Sequence, residues 1–445
     1  MTLNFDDSLP TFVRALKKAG IDVSSNAGVI VRDTRGRLSF VLKDKLSVKA
    51  AEKVAIEIDN DLLPYISPIG PIADQSAPGA NRVLLDREAL VLKINLAPPD
   101  HDLTIKLLDR RAVGADWLHA PGGFVATPPR LVFASLKGGV GRSTALSVLA
   151  AHLADSGHAV LVIDLDMEAP GVGSMLIDTD ATPLFGSIDF FVESGLRDPD
   201  DGFMRDCIAA SWLGGGRGRI DVIPSIGSKS LDNPSGVLAK LARAYLESSD
   251  QNGHQRTFLG QVQELVRRLT ELSRYDAVLV DARAGLHETT AAAILGLGAD
   301  ILLFGVNQRQ TVIGFKILLS HLKQFPILSA EEDWRYRLRM IQAKADPNDK
   351  ALAAYRAGMF DLFDKIFYEH EDTPTSDILE TGFRFSIDDS DAPHFPIPIF
   401  DDDRYRLFDP VQDRAQLAQE LYQKSFGQFI TFCVERLQLE QDAMP

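Results

Sequence analysis

Residues 135–144 read Ser-Leu-Lys-Gly-Gly-Val-Gly-Arg-Ser-Thr, and they stand between an apolar run and a helical pattern. Glycines between a strand and a helix let backbone N–H groups converge on phosphate oxygens, and the helix N-terminus adds a positive partial charge. The stretch therefore predicts a phosphate-binding loop. A simple loop of this kind has Gly at position 136 and Lys at position 142, where this chain has Leu136 and Arg142.

Beyond residue 130 the chain repeats apolar strands and long helical patterns, as a parallel sheet with helical connections requires. Strands are predicted at 130–135, 159–164, 220–224, 277–281, 301–306 and 339–343. Helices are predicted at 143–156, 236–247, 257–272 and 416–437. These patterns indicate an α/β fold with a doubly wound, mostly parallel sheet.

Pro and Gly are concentrated in residues 121–130, which predicts a linker between two domains. Residues 1–120 are predicted to form a smaller α+β domain. Its patterns indicate a hairpin at 28–42, a helix that starts after Ser47 and runs to about Ile66, and strands at 82–96 and 103–108. This first domain shows no catalytic constellation, and its role stays open. Residues 131–445 are predicted to form the larger domain.

The charge distribution bears on the partners. The 445 residues carry 47 basic and 62 acidic side chains, a formal net charge of -15. Residues 1–120 contain equal numbers of both signs, so residues 121–445 carry the whole acidic excess. Because nonspecific nucleic-acid binding depends on Lys and Arg that neutralise phosphates, nucleic acid is not an expected partner. The acidic run at 361–413 is interpreted as a solvated face.

The cysteines, histidines and apolar runs exclude further kinds of site and further classes of protein. Cys207 and Cys433 are far apart, which excludes a disulfide framework and a cysteine metal site. The nine histidines lack metal-ligand spacing. The sequence shows no export signal or membrane-spanning run, and the helical pattern at 416–437 has too few basic residues for a membrane anchor. We therefore expect a cytoplasmic protein that does not bind a membrane.

Two further segments carry polar residues at predicted strand ends. Residues 162–171 read Val-Ile-Asp-Leu-Asp-Met-Glu-Ala-Pro-Gly, and residues 275–286 read Tyr-Asp-Ala-Val-Leu-Val-Asp-Ala-Arg-Ala-Gly-Leu. Together with the loop, they resemble three boxes of the ParA/MinD family of dimerising ATPases. The loop is similar to the deviant Walker A box of that family, the second segment to switch I, and the third to Walker B and switch II. The resemblance covers roughly residues 130–440.

The resemblance implies roles for individual residues. The nucleotide would be bound by Lys137, Gly138, Gly139, Val140, Gly141, Arg142, Ser143, Thr144 and, at the base, Asn307. Mg²⁺ would be held by Ser143, Asp164 and Asp281. Asp166 would orient the attacking water, and Lys137 would reach the phosphates of a partner copy. The implied cofactors are thus ATP and Mg²⁺. Arg283, two residues after Asp281, is interpreted as an ion-pair partner rather than a catalytic arginine.

The resemblance also implies a function. ATP would close a homodimer, slow ATP hydrolysis would open it, and the switch would recruit a protein partner through the first domain or the acidic C-terminal region. One alternative is a nucleotide-binding scaffold with negligible hydrolysis, which Arg142 keeps open because the family has lysine there. Another is a kinase similar to bacterial tyrosine kinases, which ranks last because residues 435–445 contain no tyrosine.

Overall fold

A computed structural model describes residues 3–86, 89–96, 102–111, 113–122, 125–249, 255–327, 332–369 and 382–439. The chain divides into two compact units, Met1–His119 and Ala120–Pro445. The acidic run predicted to be a solvated face falls partly on residues 370–381, which lie outside the described residues.

The first unit is an α+β unit built on a five-stranded sheet with the order β3-β2-β1-β5-β4. Its elements are α1 (Phe5–Lys18), β1 (Gly28–Arg32), β2 (Leu38–Leu42), α2 (Val48–Glu57), β3 (Ile72–Asp74), α3 (Ala80–Leu84), β4 (Leu90–Ile94) and β5 (Leu103–Asp109). The predicted hairpin is confirmed, because β1 and β2 pair antiparallel from Gly28 opposite Leu42. The Asp33 carboxylate accepts the backbone N–H groups of Arg35 and Arg37 and so closes the turn.

Two local predictions in the first unit are wrong. The helix after Ser47 ends at Glu57 and does not reach Ile66, because the Asp59 carboxylate accepts the N–H of Leu62 and starts a separate short turn. The strand predicted at 82–96 is divided between α3 and β4. A run of apolar residues with little periodicity is compatible with a helix or with a strand, and tertiary packing decides which of the two forms.

The second unit contains an eight-stranded sheet with the order β15-β14-β13-β6-β12-β7-β9-β8. The strands are β6 (Arg130–Ser135), β7 (Ala159–Asp164), β8 (Ala209–Ser211), β9 (Arg219–Ile223), β12 (Ala277–Ala284), β13 (Asp300–Gly305), β14 (Leu338–Ala345) and β15 (Ile397–Phe400), and a separate two-stranded ribbon is formed by β10 (Ser248–Ser249) and β11 (Gln255–Arg256). Every pairing in the large sheet is parallel except that of β8 with β9. The predicted α/β class with a mostly parallel sheet is confirmed.

Helices connect these strands. They are α4 (Arg142–Asp155), α5 (Val172–Leu176), α6 (Ser187–Ser194), α7 (Asp201–Arg205), α8 (Ser228–Asp232), α9 (Val237–Ala244), α10 (Phe258–Leu272), α11 (Glu288–Gly296), α12 (Arg309–Leu322), α13 (Asp349–Ile366) and α14 (Gln419–Arg436). In the described part of the chain, no helix is long and apolar enough to cross a membrane.

The core of the second unit lies where α4 and α14 pack on the sheet. Phe133 of β6, Phe304 of β13 and Phe429 of α14 are fully buried, with ring centroids 5.8–6.1 Å apart. Because α14 covers it, α4 is buried along most of its length. The helix that follows the glycine loop is thus held from both sides, and this fixes the position of its N-terminus.

Candidate functional site

The glycine loop joins the central strand β6 to α4 at the carboxyl edge of the sheet, where parallel α/β proteins bind ligands. Gly139 and Gly141 have φ values of +73° and +87°, a conformation that strains other residues. A Cβ added at Gly138, Gly139 or Gly141 would meet nothing within 4 Å, so the loop faces open space. Within the described residues, the N–H groups of Gly138 and Gly139 donate no hydrogen bond of ordinary geometry.

A cleft of about 730 Å³ opens in front of this loop, a volume within the usual range for small-molecule sites. One wall is the loop from Gly138 to Thr144, and Asp166, Glu168 and Arg283 also line the cleft. The opposite wall comes from the ends of β14 and β15. It contains Lys344, Phe400, Asp401, Asp402, Tyr405 and Arg406.

Arg142, the first residue of α4, turns its side chain inward to two carboxylates. Its Nε donates to Asp281 Oδ1 at 2.5 Å, and its Nη2 donates to Asp166 Oδ2 at 3.1 Å. Its Nη1 also donates to Ser135 Oγ at 3.1 Å. Only 7% of the residue is exposed. The sequence predicted a phosphate contact for this guanidinium, whereas the structure shows a buried ion-pair network.

The predicted Mg²⁺ ligands meet only part of the chemistry that this ion requires. Ser143 Oγ donates to Asp281 Oδ2 at 2.6 Å, so two oxygen donors do lie together. However, the other Asp281 oxygen is paired with the Arg142 cation. In the ranges that the structure describes, no cluster of three or more His, Cys, Asp or Glu side chains is arranged to hold a metal ion. In this conformation the residues therefore do not fit Mg²⁺.

Asp164 also differs from its predicted role. Its carboxylate accepts the N–H of Asp166 at 2.9 Å, the N–H of Gly171 at 3.4 Å and the Ser225 hydroxyl at 3.3 Å. The side chain is fully buried and does not line the cleft. This geometry does not match a metal ligand, because the carboxylate oxygens already accept hydrogen bonds that hold the loop after β7.

The crowding of acidic groups shifts their protonation equilibria. Asp281 and Asp164 are register partners on neighbouring strands. Burial, with the nearby charge of Asp281, raises the pKa of Asp164 to about 7. Burial also raises the pKa of Asp281, an effect that Arg142 opposes. For Arg142, burial lowers the pKa but the carboxylates of Asp281 and Asp166 outweigh it, so the net shift is upward and the guanidinium stays charged.

Lys137 and Asn307 lie apart from the cleft. Lys137 Nζ donates to Gln308 Oε1 at 2.7 Å on the surface, and neither residue lines the cleft. Asn307 is exposed and is also absent from the lining. Within one chain, this placement does not match base recognition by Asn307.

An ion pair ties the two segments predicted to be switches. Arg283 Nη1 donates to Glu168 Oε1 at 2.6 Å, and the two side chains are 29% and 25% exposed. His287 Nε2 lies 3.7 Å from the same oxygen. Arg283 is thus an ion-pair partner, as predicted for its position two residues after Asp281. Both residues of the pair line the cleft.

Sequence reasoning missed the wall formed by the ends of β14 and β15. Lys344 has a φ of +50°, a value that is uncommon outside glycine and worth notice. The strand β15 was not predicted, because its Ile-Pro-Ile-Phe sequence contains a proline. Proline is tolerated there because β15 is an edge strand. Noting which residues follow the predicted strand at 339–343 would have pointed to Lys344.

The comparisons with known proteins fit the loop segment. Residues 129–187 match the family model described as ParA, NUBPL iron-transfer P-loop NTPase. The predicted resemblance to ParA-type P-loop NTPases is confirmed over this segment. No curated protein matches the chain.

Three solved structures are similar to part of this chain. A ParA family ATPase from Chlorobium tepidum is 16% identical, covers 71% of this chain and 100% of its own, and has a TM-score of 0.43. An ATP complex of a McdA variant from Cyanothece is 16% identical, covers 71% and 98%, and has a TM-score of 0.40. The pNOB8 ParA bound to nonspecific DNA is 15% identical, covers 70% and 97%, and has a TM-score of 0.40. The ATP and the DNA are ligands of those proteins.

Proposed function

Since residues 129–187 match a ParA-type P-loop NTPase, we propose that the second unit binds ATP and works as a nucleotide-dependent dimerisation switch. The observation that carries this proposal is the loop itself. The N–H groups of Gly138 and Gly139 have no acceptor in the described protein and face an open cleft at the N-terminus of the buried helix α4. A phosphate group supplies the acceptors that these N–H groups lack.

The lining of the cleft supports a proposal for where the rest of the nucleotide would lie. With its phosphates on Gly138 to Thr144, the nucleoside extends toward the wall of β14 and β15. Tyr405 and Phe400 offer aromatic and apolar surface there, and Asp402 and Lys344 offer polar groups. We propose that this wall contacts the base, in place of the contact predicted for Asn307.

Lys137 is the residue proposed to act between copies. It is held at the surface by Gln308 and does not reach the cleft of its own chain. A lysine in this position is available to the phosphates bound by a second copy, which would couple ATP binding to dimerisation. A protein partner would then bind the closed dimer through the first unit or the acidic C-terminal region.

Hydrolysis is proposed to be slow. Asp166, the residue proposed to orient water, already accepts a hydrogen bond from Arg142. Phosphoryl transfer depends on positioned charges, and here the charge of Arg142, a residue that lines the cleft, is paired with two carboxylates. The same observation favours a second candidate function, a nucleotide-binding scaffold with negligible hydrolysis. A phosphate-release assay on the parent and on Arg142→Lys separates the two, because a slow ATPase keeps or gains turnover with lysine.

Sedimentation with and without a nonhydrolysable ATP analogue tests the switch. The parent is expected to dimerise with the analogue, and Lys137→Ala is expected to bind it as a monomer. Lys323→Ala is the matched control, because Lys323 is an exposed lysine at the far end of α12. Dimerisation of Lys137→Ala to the parent extent would contradict the role between copies. Failure of the parent to bind any nucleotide would overturn the function.

A further inference from the structure

We propose that Arg142 is the resident cation of this site, and that it closes a divalent-cation site formed by Asp281 and Asp166. Of the predicted metal ligands, Asp281 is paired with this guanidinium, and so is Asp166, which was predicted to orient water. The inference rests on contacts among the side chains of this chain, so it goes beyond the proposed function and stands whether or not the protein uses ATP.

The first support is the number and direction of the contacts. Three different nitrogens of Arg142 donate, Nε to Asp281, Nη2 to Asp166 and Nη1 to Ser135, at 2.5, 3.1 and 3.1 Å. A planar guanidinium presents its donors in a fixed fork, so contacts on all three nitrogens mean that the surrounding groups are arranged around it. A side chain that merely rested near one carboxylate would not use three donors.

The second support is burial. Arg142 is 7% exposed, and the Asp281 and Asp166 side chains are 1% and 9% exposed. Carboxylates with so little access to water need a cation or hydrogen-bond donors to stay ionised. Among the described residues, Arg142 is the cation that forms an ion pair with either of them. The guanidinium therefore compensates the negative charge that a divalent ion would otherwise compensate.

The third support is that oxygen donors of the kind that a small hard cation takes lie next to the guanidinium. Ser143 Oγ lies 2.6 Å from Asp281 Oδ2, and hydroxyl and carboxylate oxygens are the ligands that Mg²⁺ and Mn²⁺ take. What prevents such an ion from binding is the positive charge of Arg142, which it would have to approach in a poorly screened interior. Removing that charge and its bulk should open the site.

The test uses Mn²⁺ as the probe on full-length, nucleotide-free protein, with free Mn²⁺ measured by electron paramagnetic resonance. Surface carboxylates of this acidic chain will bind Mn²⁺ weakly in every variant, so the difference between variants is the readout. Arg142→Ala is expected to gain one Mn²⁺ site at least tenfold tighter than any in the parent. The double variant Arg142→Ala/Asp281→Asn is expected to lose the gained site.

Two further variants keep the test decisive. Arg142→Lys retains a positive charge and should gain no site. Arg142→Gln keeps a polar side chain and replaces Arg142→Ala if the alanine variant does not fold by circular dichroism. Equal Mn²⁺ binding by the parent and by the neutral folded variant would overturn the proposal. A gained site that persists after Asp281→Asn would also overturn it.

Calorimetric titration of ATP into the parent separates the two proposals. A parent that does not bind ATP, beside a neutral variant that gains Mn²⁺, overturns the proposed function and leaves Arg142 as the resident cation. A parent that binds ATP, beside a neutral variant without a gained site, supports the function and refutes the resident cation.

Discussion

Replacing Arg142 with methionine should strongly destabilise the second unit, because it removes the cation and keeps much of the side-chain volume. Asp281 and Asp166 would then be left buried without a cationic partner in the described part of the chain. Hydrogen bonds to charged groups contribute about 1.5–3 kcal/mol each, so two such bonds amount to about 3–6 kcal/mol. Breaking a buried ion pair from one side costs about 3–5 kcal/mol in measured cases. We therefore expect the free energy of unfolding to fall by about 3–5 kcal/mol, a large part of a typical total of about 5–15 kcal/mol.

Urea unfolding of the full chain, followed by circular dichroism and tryptophan fluorescence, measures the loss. Arg197→Met is the matched control, because Arg197 pairs with Glu193 at 2.8 Å but its side chain is 66% exposed. Exposed pairs contribute about 0–1 kcal/mol, so this control should unfold almost as the parent does. The double variant Arg142→Met/Asp281→Asn should recover part of the loss, because fewer uncompensated charges remain buried.

A loss below about 1 kcal/mol for Arg142→Met, the range of exposed ion pairs, would refute this reasoning. It would mean that the guanidinium spends its time in water or in the cleft, and not between the two carboxylates. A double variant less stable than Arg142→Met alone would also contradict it, because Asp281 would then contribute through contacts other than the ion pair.

The remaining predictions concern turnover, the ion pair between Arg283 and Glu168, and DNA binding. Asp166→Ala is expected to lower the rate of phosphate release roughly a hundredfold, the usual scale for general acid–base groups, while ATP still binds in calorimetry. Loss of ATP binding in a variant with an intact fold would mean that Asp166 has a structural role instead. Arg283→Ala should reduce the free energy of unfolding by only about 0.5–1 kcal/mol, because its ion pair with Glu168 is partly exposed. A loss above about 2 kcal/mol would contradict this, because it exceeds what a partly exposed ion pair contributes. Duplex DNA should bind weakly or not at all at physiological salt, because the net charge is -15; micromolar affinity with a steep salt dependence in the presence of ATP would contradict this.

Local sequence patterns determined the fold class and the place of the candidate site. The apolar runs at 130–135, 159–164 and 277–281 match the starts of β6, β7 and β12 to the residue, because runs of buried apolar residues bounded by polar ones signal central parallel strands. The glycines at 139 and 141 indicated a loop in the sequence. In the structure both residues have positive φ angles, which glycine adopts more readily than other residues do. The amphipathic pattern at 416–437 predicted the helix α14, and the structure packs this helix on the sheet.

Tertiary structure alone decided where the charged side chains point. Arg142 and Asp281 are 139 residues apart in the chain, and nothing local indicates that the guanidinium pairs with that carboxylate. Asp164 likewise turns to the N–H groups of Asp166 and Gly171, and Lys344 and Tyr405 reach the cleft only because β14 and β15 extend the sheet on that side. Periodicity reports which face of an element is apolar, whereas the direction of a polar side chain is set by the partners that other strands bring within hydrogen-bonding distance.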